Sequence, residues 1–282
     1  MKWRGRQQST NVEDRRGLSG RTMVAGGGVG VLVIVALVWL MGGNPSQVVD
    51  MLQNTGAEQG VADSSVIQAE QELADFAGVV LKDTEDIWSA IFSQNGKIYR
   101  DPTLVLFSGS VESACGYSSS ATGPFYCPTD EKVYIDLSFL ADLQEKLDAT
   151  GDFAMAYIIA HEVGHHVQKQ LGIMEQVQAL RGRVGEAEYS AKQVRLELQA
   201  DFLAGVWAHY AHKTKDILEE GDVEEALNAA AAVGDDRIQM KSQGYVVPDA
   251  FTHGTSEQRR NWFLKGFRTG DLDQGDTFSS TD

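Results

Sequence analysis

Positive charge is scarce in this chain: 24 lysines and arginines stand against 40 aspartates and glutamates, a formal net charge of −16 over 282 residues. A body this acidic repels phosphate backbones and anionic lipid surfaces, which excludes nucleic acid as an expected partner and makes solubility the plain reason for the acidity. Cysteine is scarcer still, with Cys115 and Cys127 alone. No histidine stands near either of them, so they offer no second metal site. No internal repeat is visible, and the length allows one or two ordinary domains.

Charge is missing altogether between Met23 and Met41, a stretch that ends in the apolar run Val31 to Met41. A membrane-crossing helix needs roughly 17–25 apolar residues, and cationic flanks stay on the cytoplasmic side. Lys2, Arg4, Arg6, Arg15, Arg16 and Arg21 precede the run. The expected organisation is therefore a cytoplasmic basic tail over 1–22, a transmembrane anchor over 23–41, a linker over 42–64, a folded domain over 65–270 and an acidic tail over 271–282. The body would lie outside the plasma (inner) membrane on a single-pass anchor. The run lacks a clear Ala-x-Ala exit and exceeds the usual apolar core of a signal peptide, which favours an uncleaved anchor over a cleaved signal. Export leads to an oxidising compartment, where Cys115 and Cys127 are expected to close a small loop as a disulfide rather than remain two buried thiols.

Within the body, Leu73, Phe76, Val80, Ile87 and Ile91 recur at helical steps from about Ser65 to Gly96. Leu104 to Phe107 reads as a strand, followed by a Gly- and Ser-rich loop holding both cysteines, and Lys132 to Asp136 reads as a second strand. A strand at a sheet edge can pair with a peptide, so Val133, Tyr134, Ile135 and Asp136 form a candidate substrate strand, with an ordinary sheet strand as the other reading. Leu140, Leu143 and Leu147 suggest a helix. Further helices are expected over about 189–210, from Asp222, and over 256–267. The fold class is α+β, mostly helical, with a small sheet beside the helix of the central motif.

That motif is His161-Glu162-Val163-Gly164-His165, preceded by the Pro- and Gly-free apolar run Phe153 to Ala160 with Asp152 as a candidate N-cap. Residues four apart share a helical face, so His161 and His165 can aim imidazole nitrogens at one zinc ion with Glu162 beside it as a base. Gly164 costs the helix up to about 1 kcal/mol relative to Ala, and would let another backbone pack close beneath the metal. His166 points away from that face and suits helix packing. Catalytic zinc takes three protein ligands and leaves one position open, so a third ligand is required. His209, His212, His253 and many carboxylates compete for that place. Glu197 stands out because Asp201 follows on the same helical face: one carboxylate can bind metal while the other orients a ligand histidine. A solvated acidic face is the bland alternative for that pair. For His209 and His212, which lack a nearby carboxylate base, a surface role is expected.

Together these residues resemble the thermolysin-type, glutamate-liganded metallopeptidases (gluzincins). More closely, the strings CGYSSSATGPFYCP, VYIDLSFL, HEVGHHVQ, ELQADFLAGVWAH and HGTSEQRRNWF resemble the bacterial putative neutral zinc metallopeptidase family over about 65–267. The segment around Thr252-His253-Gly254 is also similar to the Thr-His-Pro-(x)-Arg segment of membrane-associated HExxH peptidases, with Gly254 where that pattern has Pro. This resemblance implies that His253 faces the substrate oxygen. The expected activity is hydrolysis of peptide bonds in peptides or unfolded protein, with one zinc ion held by His161, His165 and Glu197, Glu162 as general base and Asp201 behind a ligand histidine. Two other readings differ in kind: a membrane-tethered binding or scaffold protein with a structural zinc site, and hydrolysis of a cell-wall amide.

Overall fold

Apolar residues one turn apart drive the longest helix, α1 (Ser64–Gln94), which buries Phe76, Val80, Ile87, Trp88 and Ile91. The computed structural model describes residues 1–16, 64–119, 122–139 and 151–279. Ahead of α1, the short strand β1 (Val12–Asp14) enters the main sheet with β2 (Thr103–Phe107), β6 (Lys132–Asp136) and β5 (Phe125–Cys127). Their order is β1-β2-β6-β5; β1, β2 and β6 run parallel, and β5 is antiparallel to β6. The period-two pleat sorts their side chains. Leu104, Leu106, Val133 and Ile135 join the main core, whereas Val105, Phe107, Tyr134 and Cys127 form a small cluster on the other face.

A separate hairpin, β3 (Ser110–Ser113) with β4 (Gly116–Ser119), occupies part of the stretch read above as loop. The disulfide Cys115–Cys127 ties the hairpin turn to β5.

The motif helix, α2 (Asp152–Gln170), is buried on every side from Phe153 to Gln168. Gly151, not Asp152, occupies its N-cap position, and a carboxylate oxygen of Glu225 accepts the Phe153 N–H in place of a cap side chain. After α3 (Ile173–Gln178) comes the long α4 (Glu186–Lys215), then α5 (Asp222–Ala232), α6 (Asp235–Gln243) and α7 (Ser256–Thr269). A reciprocal capping box between Thr255 and Gln258 starts α7. Helices α2 and α4 pack together, α5 and α7 close over them, and the sheet lies beside α2, so the architecture is mostly helical with small sheets. The stretch after Gly270 is ordered where a frayed tail was expected: Gln199 Nε2 donates to Gly275 O, and Thr277 Oγ1 donates to Arg195 O.

The membrane-anchor expectation is corrected. Among the described residues no helix is long and apolar enough to cross a membrane. The segment 23–41 itself lies outside the described residues, as do the helix expected around Leu140 to Leu147 and most of the linker. The described part of the supposed cytoplasmic tail, residues 1–16, is part of the same folded body as the motif helix. Val12, Glu13 and Asp14 are in register with Leu104, Val105 and Leu106 of β2. The Met1 ammonium lies 2.5 Å from the Asp152 carboxylate at the start of α2 and 3.3 Å from those of Asp222 and Glu219. Segments in direct contact stand on one side of any bilayer. The single-pass address, with an inside N-terminus and an outside catalytic domain, is therefore overturned. Charge patterning alone favoured it because a basic segment before an apolar run looks the same whether its cations meet the cytoplasm or nearby carboxylates; here Arg6 holds Asp83 and Arg16 holds Asp14.

Helices α4 and α7 cross where two glycines face each other's backbones. A Cβ on Gly205 would lie 2.1 Å from Phe263 O, and one on Gly266 would lie 2.1 Å from Phe202 O. Gly205→Ala is expected to destabilise the fold by about 3 kcal/mol, the upper end of overpacking costs. Urea unfolding beside wild type checks this, and an unchanged midpoint would contradict the close crossing.

Candidate metal centre

Gly164 is where the second half of the site is brought in. A Cβ there would meet Ala200 O at 3.0 Å and Ala200 Cα at 3.2 Å, so the missing side chain lets α4 approach the backbone of α2. Ala200 lies between Glu197 and Asp201, and the approach carries both carboxylates up to the histidines. Glu197 Oε2 lies 3.2 Å from His161 Nε2, and Glu197 Oε1 lies 3.4 Å from His165 Nε2. The three ligand atoms all fall within 4.8 Å of one another.

Behind them, each imidazole is held by its other nitrogen. Asp201 Oδ1 lies 2.8 Å from His161 Nδ1, and Gln168 Oε1 lies 2.9 Å from His165 Nδ1. Both partners are acceptors, so both Nδ1 atoms carry hydrogen and both Nε2 atoms are turned toward Glu197. The Gln168 amide is oriented by Leu196 O and Gln199 Oε1, which accept from its Nε2 at 2.7 and 3.1 Å. Asp201 is held in turn by Tyr157, whose hydroxyl donates to Oδ1 at 2.5 Å, and by Arg259, whose Nε donates to Oδ2 at 2.8 Å. Arg259 Nη1 reaches further, donating to Val233 O.

The charges reinforce one another. Burial raises Asp201, but Arg259 and His161 outweigh it and hold its pKa at about 2. Burial likewise raises Glu197, and His165 and His161 outweigh it and hold it well below the usual carboxylate range. Burial lowers His161, yet Asp201 and Glu197 prevail and bring it to about 10. A raised imidazole between two lowered carboxylates marks a place that favours positive charge. Two imidazole nitrogens and one carboxylate, largely buried and braced from behind, fit a zinc ion with one position left for water or substrate.

A cleft of about 510 Å³ opens onto this cluster. Glu162 lines it beside His161, and no other residue among those described hydrogen-bonds to its carboxylate. His253 lines it from the loop before α7, with Nδ1 3.1 Å from Asp235 Oδ1, while Asp235 Oδ2 accepts the backbone N–H groups of Thr252, His253 and Gly254. The expected strand Val133, Tyr134, Ile135 and Asp136 does not reach the cleft. It belongs to β6, which has β2 along one side for its whole length and β5 along the other over Lys132 to Tyr134. Pairing order is a tertiary property, so a strand's local composition could not reveal that β5 lies outside β6 at this end of the sheet. Phe125 and Tyr126 of β5 do line the cleft.

His209 and His212 stand outside the cluster: His209 Nδ1 lies 2.8 Å from Phe267 O, and His212 is half-exposed beside Asp216. A second group of carboxylates, Asp152, Asp222 and Glu225, could hold a cation by spacing, but the Met1 ammonium contacts the first two of them. Tyr157, Gln168 and Arg259 were missed. The first two were legible, since they lie four before His161 and three after His165 on the ligand face. Arg259 had no signal beyond its place in the string that begins at His253.

Comparison with known proteins follows the same direction. A family model described as putative neutral zinc metallopeptidase matches residues 1–278. The chain is 47% identical over 287 residues to the uncharacterized protein YpfJ of Escherichia coli strain K12, covering 100% of both chains. It is 45% identical over 194 residues to the uncharacterized protein Rv2575 of Mycobacterium tuberculosis strain H37Rv, covering 65% of this chain and 64% of that one. No solved structure matches.

Replacing Asp201 by Asn keeps the side chain's shape but weakens its hold on His161. Zinc affinity is expected to fall about 10- to 100-fold, as for other outer-shell partners of ligand histidines. Chelator competition measures this, and an unchanged affinity would remove Asp201 from the metal centre.

Proposed function

Because this chain belongs to the putative neutral zinc metallopeptidase family, we propose that it is a zinc-dependent hydrolase of peptide bonds. One observation carries the reading: two imidazole Nε2 atoms and the Glu197 carboxylate converge at the floor of an open cleft, with Glu162 beside them. His161, His165 and Glu197 would hold the ion. A zinc ion in that set lowers the pKa of a bound water and polarises a carbonyl.

The remaining steps belong to the chain's own groups. Glu162 accepts the proton of the attacking water at a carboxylate oxygen and delivers it to the nitrogen of the leaving amine. Asp201 and Gln168 keep the two imidazoles in the tautomer that leaves Nε2 free for metal. His253 has Nδ1 engaged by Asp235, and its imidazole supplies a ring N–H to the oxygen on which negative charge develops. An extended peptide adds to β5, whose outer side has no strand neighbour among the described residues, and so lies across the cleft. This reading moves the substrate strand from Val133–Asp136 to the neighbouring Phe125–Cys127.

Glu162→Gln is the direct test. Zinc content should stay at the wild-type level, while release of new amines from an unfolded protein falls about 10²- to 10⁴-fold, the scale of a lost general base. Full activity in the variant would remove Glu162 as the base. Equal, background-level release by both proteins would instead mark the zinc as structural. Release from peptidoglycan fragments but not from protein would place the substrate among cell-wall amides.

A further inference from the structure

His166 directly follows a ligand of the metal centre and takes no part in it. Its imidazole is fully buried. Nε2 lies 2.6 Å from Arg100 O, an atom that can only accept, so Nε2 carries the hydrogen. Gln170 Nε2 donates to the same carbonyl at 2.9 Å, and the two donors converging on one oxygen lie 2.8 Å apart. Nδ1 of His166 is then an acceptor, and the Tyr126 hydroxyl donates to it at 2.9 Å. The rings of Tyr126 and Tyr99 pack edge-on against the imidazole, with centroids 5.4 and 5.6 Å away. A single imidazole thus joins the metal helix α2, the segment leading into β2 and the edge strand β5.

The junction matters because β5 is short. It pairs with β6 over three residues, and the other attachments described for it, the Cys115–Cys127 disulfide and the Phe125–Tyr134 ring stack, bind it to the hairpin and to β6. Among the described residues, Tyr126 to His166 is the one hydrogen bond between β5 and α2. Both ligand histidines and the base ride on α2, and Phe125 and Tyr126 form a wall of the cleft. Tyr126 also packs into the main core, and this hydrogen bond adds the directional contact that fixes the spacing between that wall and the metal centre.

We propose that Tyr126 and His166 are positioning residues: together they set the distance of the edge strand from the metal helix, and with it the placement of a peptide across the centre. The placement of a peptide rests on the peptidase reading above; the tie itself does not. Without the tie, the strand drifts relative to α2, so substrate is held less well while the metal ligands and the base, on α2 and α4, stay as they were.

Tyr126→Phe removes only the hydroxyl, and the full chain loaded with zinc is the material to measure. Zinc content should match wild type. KM for an unfolded protein substrate should rise about three- to tenfold, the worth of one neutral hydrogen bond, with kcat within about twofold. In the same preparations without substrate, amides of Phe125 to Cys127 should exchange hydrogen faster than in wild type while those of α2 do not change. His166→Gln can still donate to Arg100 O and accept from Tyr126, so it should lie nearer wild type than His166→Phe. Unchanged exchange at β5 with unchanged KM overturns the proposal. So does a fall in kcat at constant KM, which would put Tyr126 on the reacting atoms. A wild type that hydrolyses nothing sinks the peptidase reading instead, and exchange at β5 still decides whether the tie exists.

Discussion

The buried carboxylate of Asp201 is the interaction on which the rest of the structure depends. A charge with no exposed surface is tolerable only when every lone pair is met, and here Tyr157, His161 and Arg259 meet them. Those partners come from α2 and α7, while Asp201 itself sits on α4. Three helices are therefore drawn to one point by electrostatics, and glycines at two crossings, Gly164 under Ala200 and Gly205 under Phe263, allow the backbones to reach it. Overpacking either crossing pulls the charges apart, and removing one charge leaves another buried alone.

Function is layered outward from that point. Asp201 orients His161, Gln168 orients His165, and the paired histidines with Glu197 form a pocket of donors suited to a dication. Glu162 and His253 line the open side, where chemistry on a bound peptide would occur. The sheet's part is to supply a wall. β2 and β6 are buried and serve as its foundation, and among the described residues β5 is the edge strand whose residues line the cleft.

Much of this was legible in residue order. The spacing of His161 and His165 shows that they share a helical face, and the spacing of Glu197 and Asp201 does the same for the carboxylates; helical periodicity is local, and local signals survive folding. What lay hidden was tertiary. Whether Lys132–Asp136 or Phe125–Cys127 is the sheet edge depends on pairing partners far along the chain. The basic segment at the N-terminus read as one side of a membrane because several of its carboxylate partners, Asp83 and Asp152 among them, are remote in sequence. Arg259 was hidden for the same reason: its importance lies in the charge it faces, 58 residues away.

The most direct measurement is diffraction at the zinc absorption edge from crystals of the full chain grown with the metal. One strong anomalous peak is expected, within bonding distance of His161 Nε2, His165 Nε2 and the Glu197 carboxylate. A peak among Asp152, Asp222 and Glu225 instead, or none near the two histidines, would contradict the metal centre described for this protein.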